Sequence, residues 1–79
     1  MKARGAYRLI VSRGGRAPVW LAGPDRVDHV EVVEIESGEV VLFWDLPAAL
    51  AHRLARALRE DLGTLEADEF VTAWRDEKD

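Results

Sequence analysis

Residues 40–44 of this chain, Val-Val-Leu-Phe-Trp, run through Asp45-Leu46-Pro47 straight into a long amphipathic helical pattern at residues 48–62, with no room for a loop between them. Asp45 is placed as an N-cap whose carboxylate accepts from the free N–H groups of the first turn. Pro47 sits where a missing donor costs nothing. A strand and a helix joined this closely have to pack against each other, so a helix laid on a sheet is the frame into which the rest of the chain must fit.

The helical pattern carries Leu46, Leu50, Leu54, Leu58 and Leu62, one every four residues, broadened by Ala51, Ala55 and Ala57. Gly63 is expected to close it as a C′ residue. Thr64 is then expected to cap a second helix, with Glu66, Asp68 and Glu69 on its first-turn dipole and Phe70 stacked on Trp74 four residues later.

Upstream, residues 7–12 and 17–22 are runs of strand formers separated by Arg13-Gly14-Gly15-Arg16, which predicts a tight hairpin. Gly23-Pro24-Asp25-Arg26 is a strong break. Residues 27–36 and 39–44 form a second expected hairpin around Ser37-Gly38. With Glu36 opposite Glu39, one face collects Val33, Ile35, Val40, Leu42 and Trp44, with His29 and Glu31. The other collects Val30, Val32, Val41 and Phe43, with Glu34. Together these patterns predict an α+β fold in the order ββββαα, a four-stranded antiparallel β-meander of two hairpins followed by two α-helices. One domain spans residues 1–79, with disordered tails at 1–5 and 76–79.

Seventy-nine residues bury only roughly 60% of the surface that the unfolded chain exposes, and no cysteine is present to add a disulfide or a thiolate metal site. A small core without staples leans on close packing or on a partner subunit. No apolar run approaches the roughly 18 residues of a membrane span, and no signal-peptide core follows Met1, which predicts a soluble cytoplasmic protein. Asn and Gln are absent and Arg is abundant, a composition that fits a thermophilic source.

The formal net charge of −4 is unevenly spread. Residues 1–16 carry +5 with no acid, whereas residues 60–79 carry −6. Such polarity either steers a partner or is taken up by solvated faces.

No enzymatic constellation stands out. His29 and Glu31 share a strand side, but two histidines without ligand spacing make no metal site, and no cofactor motif is present. Ser12, Ser37, Thr64 and Thr72 each have a turn, cap or surface explanation. The Gly14-Gly15 pair lacks the following helix that a phosphate loop needs. His29 is expected to be a partly exposed strand residue paired with a carboxylate.

The arginines Arg13 and Arg16 of the first hairpin, with Arg53, Arg56 and Arg59 on the helix, outline a nucleic-acid-binding alternative. The negative net charge and the acidic second helix weigh against it. The stronger expectation comes from apolar residues on both sides of the sheet, because an antiparallel sheet with helices on one side should have a wet second face. That expectation is a non-enzymatic protein-interaction module, homodimeric, an accessory or regulatory subunit of a larger assembly. Its contacts are expected at Trp20, Leu21, Val41, Phe43, Phe70 and Trp74, with Arg13 and Arg16 as rim charges.

Overall fold

A computed structural model describes residues 1–13 and 27–78, with side chains described through Arg75. The elements in chain order are α1 (Ala3–Ala6), β1 (Tyr7–Arg13), β2 (Val27–Glu34), β3 (Val40–Pro47), α2 (Ala48–Thr64) and α3 (Ala67–Lys78).

The class is α+β, but the expected four-stranded meander is overturned. The sheet has three antiparallel strands among the described residues, in the order β1-β2-β3. β2 has both edges taken, one by β1, with Tyr7 opposite Glu34 and Arg13 opposite Asp28, and the other by β3. No edge of β2 is left for an intervening strand: the first run of strand formers takes one edge and residues 40–47 take the other. The expected strand at residues 17–22 lies outside the described residues.

The register of the second hairpin also differs, for two separable reasons. The turn is longer than a two-residue loop. Glu34 donates its N–H to the Glu39 carbonyl at 2.8 Å, Gly38 donates to the Glu34 carbonyl at 2.8 Å, and Gly38 takes φ 75°. A two-residue change of register alone would leave every side chain on its expected face. A β-bulge between Val32 and Val33 then adds one residue on β3, so Val33 stays opposite Val40 while Val32 comes opposite Leu42. That single extra residue exchanges the faces beyond it. Leu42 and Trp44 therefore join Val30 and Val32 on the inner face, and Phe43 joins His29, Glu31 and Val33 on the outer one.

α2 covers the inner face through Ala51, Ala55, Leu58 and Leu62, all buried, while Leu50 is 48% exposed. Each residue turns an α-helix by about 100°, so a leucine every four residues drifts by about 40° per step. The buried positions instead follow spacings of four, three and four. Leu58 and Leu62 belong to both series, which is why the leucine pattern located the helix but not its inner edge.

The expected caps are not used. β3 continues through Pro47, Asp45 lies within the strand, and no side chain caps α2 at its start. Gly63 is the penultimate residue of α2 and still helical, and Thr64 Oγ1 donates back to the Glu60 carbonyl at 3.1 Å. α3 begins after Glu66, whose N–H donates to Glu69 Oε1 at 3.2 Å, half of a capping box.

Met1 to Gly5, read from the sequence as a tail, packs in the corner between α2 and α3. The Ala3 N–H donates to the Leu65 carbonyl at 2.9 Å, the Ala67 N–H donates to the Met1 carbonyl at 3.0 Å, and Ala3 is fully buried. Lys2 Nζ donates to the Thr64 carbonyl at 3.1 Å and lies 3.6 Å from Glu66 Oε1, while the Met1 ammonium bonds Glu66 Oε2 at 3.0 Å. Part of the charge polarity between the two ends of the chain is thus satisfied within the molecule. A lysine on the terminal carbonyl of one helix and an acid before the first turn of the next both suit the helix dipoles.

Candidate interaction surface

The alternation along the three strands sets two faces, the inner one packed under the helices except near Val11, which is 41% exposed. Tyr7, Leu9, Val30, Val32, Leu42, Trp44 and Leu46 turn inward with Phe70, Val71 and Trp74 of α3. The outer face follows from the register in three rows: Arg8, Val33 and Val40; Ile10, Glu31 and Phe43; Ser12, His29 and Asp45. Among the described residues every helix packs on the inner side, and the outer face keeps Ile10 39%, Val40 46% and Phe43 40% exposed. Ile35 continues the apolar strip past the turn end of β2, and Val27 is exposed at the other end, beyond the Ser12–His29–Asp45 row. A shallow depression of about 310 Å³, lined by Arg8, Ile10, Val33, Glu34, Ile35 and Gly38, lies at the turn end of this face.

Phe43 is held in place from beside it. The His29 ring stacks on Phe43 with centroids 5.8 Å apart and planes at 25°, and His29 Nδ1 is hydrogen-bonded to Asp45 Oδ1. The carboxylate that the helix did not take as a cap is therefore spent on the histidine directly opposite in register. His29 is the partly exposed, carboxylate-paired strand residue that its position implies.

The expected contact residues separate. Phe43 lies on the outer face. Val41, the extra residue of the bulge, is half-buried and packs against the core. Phe70 is fully buried, with Tyr7 stacked on it at 5.9 Å, and Trp74 Nε1 donates to Asp61 Oδ2 at 3.0 Å; both serve the inner side, not the outer surface. Trp20, Leu21 and Arg16 lie outside the described residues. Arg13 is exposed at the end of β1, and Arg53, Arg56 and Arg59 are exposed along α2. Ile10, Val33 and Val40 belong to the face but were not singled out from the sequence. Val33 and Val40 already share a face in the alternation of the second hairpin, whereas Ile10 needs the β1–β2 pairing before it can be assigned to a side.

Among the described residues no three of His, Cys, Asp and Glu converge as metal ligands, and no helix is long and apolar enough to cross a membrane. Comparison with protein-family models, curated proteins and solved structures gives no match.

Proposed function

We propose that this chain is a small, non-enzymatic, cytoplasmic protein-interaction module that works as a homodimer, an accessory subunit whose contact surface is the outer face of its sheet. One observation carries this reading. Ile10, Val40 and Phe43 stand exposed around half-buried Val33 on one side of the three-stranded sheet, and the described helices all lie on the opposite side. Contiguous apolar surface of this kind on a small domain marks a site of association.

Strands about 4.8 Å apart and about 3.3 Å per residue give a face of roughly 15 by 25 Å, below the roughly 800 Å² per partner of a standard interface. The association is accordingly weak and concentration-dependent. Sedimentation velocity from roughly 1 μM to roughly 1 mM, the span of weak contacts, should show the sedimentation coefficient rising from monomer to dimer. Phe43→Lys should hold it at the monomer value without changing the far-ultraviolet circular dichroism. A wild-type chain that stays monomeric throughout overturns the reading.

A second reading, nucleic-acid binding through α2, has one observation in its favour: Arg53, Arg56 and Arg59 are exposed and form no ion pair among the described residues. Its test is binding to mixed-sequence DNA and RNA at low salt, where phosphate neutralisation must show as a steep salt dependence. Absence of binding at low ionic strength removes it.

A further inference from the structure

We propose that two copies meet outer face to outer face about a two-fold axis, and that reciprocal ion pairs between Arg8 of one protomer and Glu31 of the other register the contact. The inference rests on the reading of this face as the association surface and specifies how the two copies align on it.

Glu31 stands at the centre of the face. It lies between Ile10 on β1 and Phe43 on β3, with His29 before and Val33 after it on the same side of β2. It is half-buried, and among the described residues its side chain makes no hydrogen bond or ion pair. An apolar partner pressed onto this surface would strip water from a carboxylate and return nothing, which is strongly unfavourable. A partner that covers the apolar strip therefore binds more tightly if it brings a cation to the middle of it.

A second copy brings one. Arg8 is exposed, unpaired among the described residues, and stands one row from Glu31 and one strand across. A two-fold axis running across the strands, midway between the Arg8–Val33–Val40 row and the Ile10–Glu31–Phe43 row, sets each row over the other row of the second copy. Val40 then faces Phe43, and Arg8 faces Ile10, one strand spacing of about 4.8 Å to the side of Glu31. Sheets packed face to face lie about 10 Å apart, a gap that an arginine from one sheet and a glutamate from the other span between them. The symmetry repeats the pair, so each contact holds two. Ser12, His29 and Asp45 form the row beyond Glu31, away from the axis, and give the contact a polar rim.

Charge reversal across the two copies tests this. Arg8→Glu places two like-charged pairs in its own dimer, as does Glu31→Arg, so each variant alone should raise the dissociation constant at least roughly tenfold. An equimolar mixture of the two variants makes both crossing pairs opposite again and should recover wild-type association as a heterodimer, seen by sedimentation with one species fluorescently labelled. The milder Arg8→Gln and Glu31→Gln, checked for intact folding by circular dichroism, should each weaken association and flatten its salt dependence. A dimeric wild type with no rescue in the mixture, or with no loss in the single variants, overturns the Arg8–Glu31 register while leaving the face as the contact. A monomeric wild type overturns both.

Discussion

Trp44 of β3 and Trp74 of α3 meet edge to face, ring centroids 6.0 Å apart and planes at 81°, and this contact ties the last helix to the inner side of the sheet. Phe70 lies 6.4 Å from Trp74 and carries the contact on to Tyr7, so one aromatic series joins β3, α3 and β1. Trp74 is also anchored at its polar end by the Asp61 carboxylate of α2. Trp74→Phe removes the N–H donor and replaces the indole with a smaller ring. We expect a loss above about 1 kcal/mol, the usual net value of such a hydrogen bond, because the space left by the indole adds to it, read from the urea midpoint. Asp61→Asn keeps an oxygen acceptor there and should lose less than Trp74→Phe.

The phase of α2 is tested by two leucines of the same stripe. Leu58 is fully enclosed, and Leu58→Ala should cost about 2–5 kcal/mol, a large part of the stability of a chain this short. Leu50 is 48% exposed, and Leu50→Ala should cost less than about 1 kcal/mol. Equal losses in denaturant titrations would mean that the leucine spacing, and not the three-and-four pattern with the alanines, defines the buried edge.

What could be read from the chain beforehand was local. The long helix, the short link to a second helix and the strand character of residues 7–12, 27–34 and 40–44 all follow from patterns within a dozen residues. Pairing is not local: that β1 sits beside β2 depends on contacts across the undescribed residues between them, and β-formers in sequence carry no record of which edge they will take. The outer face was half legible for the same reason. Apolar residues on both sides of the second hairpin were visible, but the bulge at Val41 exchanged which of them face out. Phe43 stands out in an apolar run and Val33 and Val40 share a face in the hairpin pattern, whereas Ile10 needs the β1–β2 register. The end of α2 was misjudged because glycine after a helix is so often its stop, while here the chain continues helical to Thr64.

Gly63 and Gly38 turn that last point into opposite expectations. Gly63 is helical, and a Cβ there meets nothing within 4 Å, so Gly63→Ala should stabilise by about 0.5–1 kcal/mol through helix propensity and a less flexible unfolded chain. Gly38 has φ 75°, where an L side chain is strained even in open space, and Gly38→Ala should destabilise by about 1 kcal/mol. Thermal unfolding of the two variants decides it. A Gly63→Ala variant that melts below wild type would put that residue back in a left-handed cap.

The N-terminal strap gives a pH dependence with a definite sign. The hydrogen bond from the Met1 ammonium and then its charge hold the Glu66 carboxyl below its ordinary value of 4.5 against an opposing effect of desolvation, with Lys2 adding a lesser pull in the same direction as the ammonium. Folding therefore favours the ionised form. The contribution is complete above about pH 4.5 and is lost as pH falls through the lowered folded value. Glu66→Gln removes the charge at every pH. The stability difference between wild type and Glu66→Gln should accordingly be constant from neutrality down to about pH 5 and shrink below it, as protonation makes the wild-type side chain neutral too. Taking the difference at each pH cancels the other carboxylates, which titrate alike in both proteins. A difference that stays constant to about pH 3 would mean that Glu66 is not held by the strap, and that Ala3 and the two backbone bonds to residues 65 and 67 secure that corner without it.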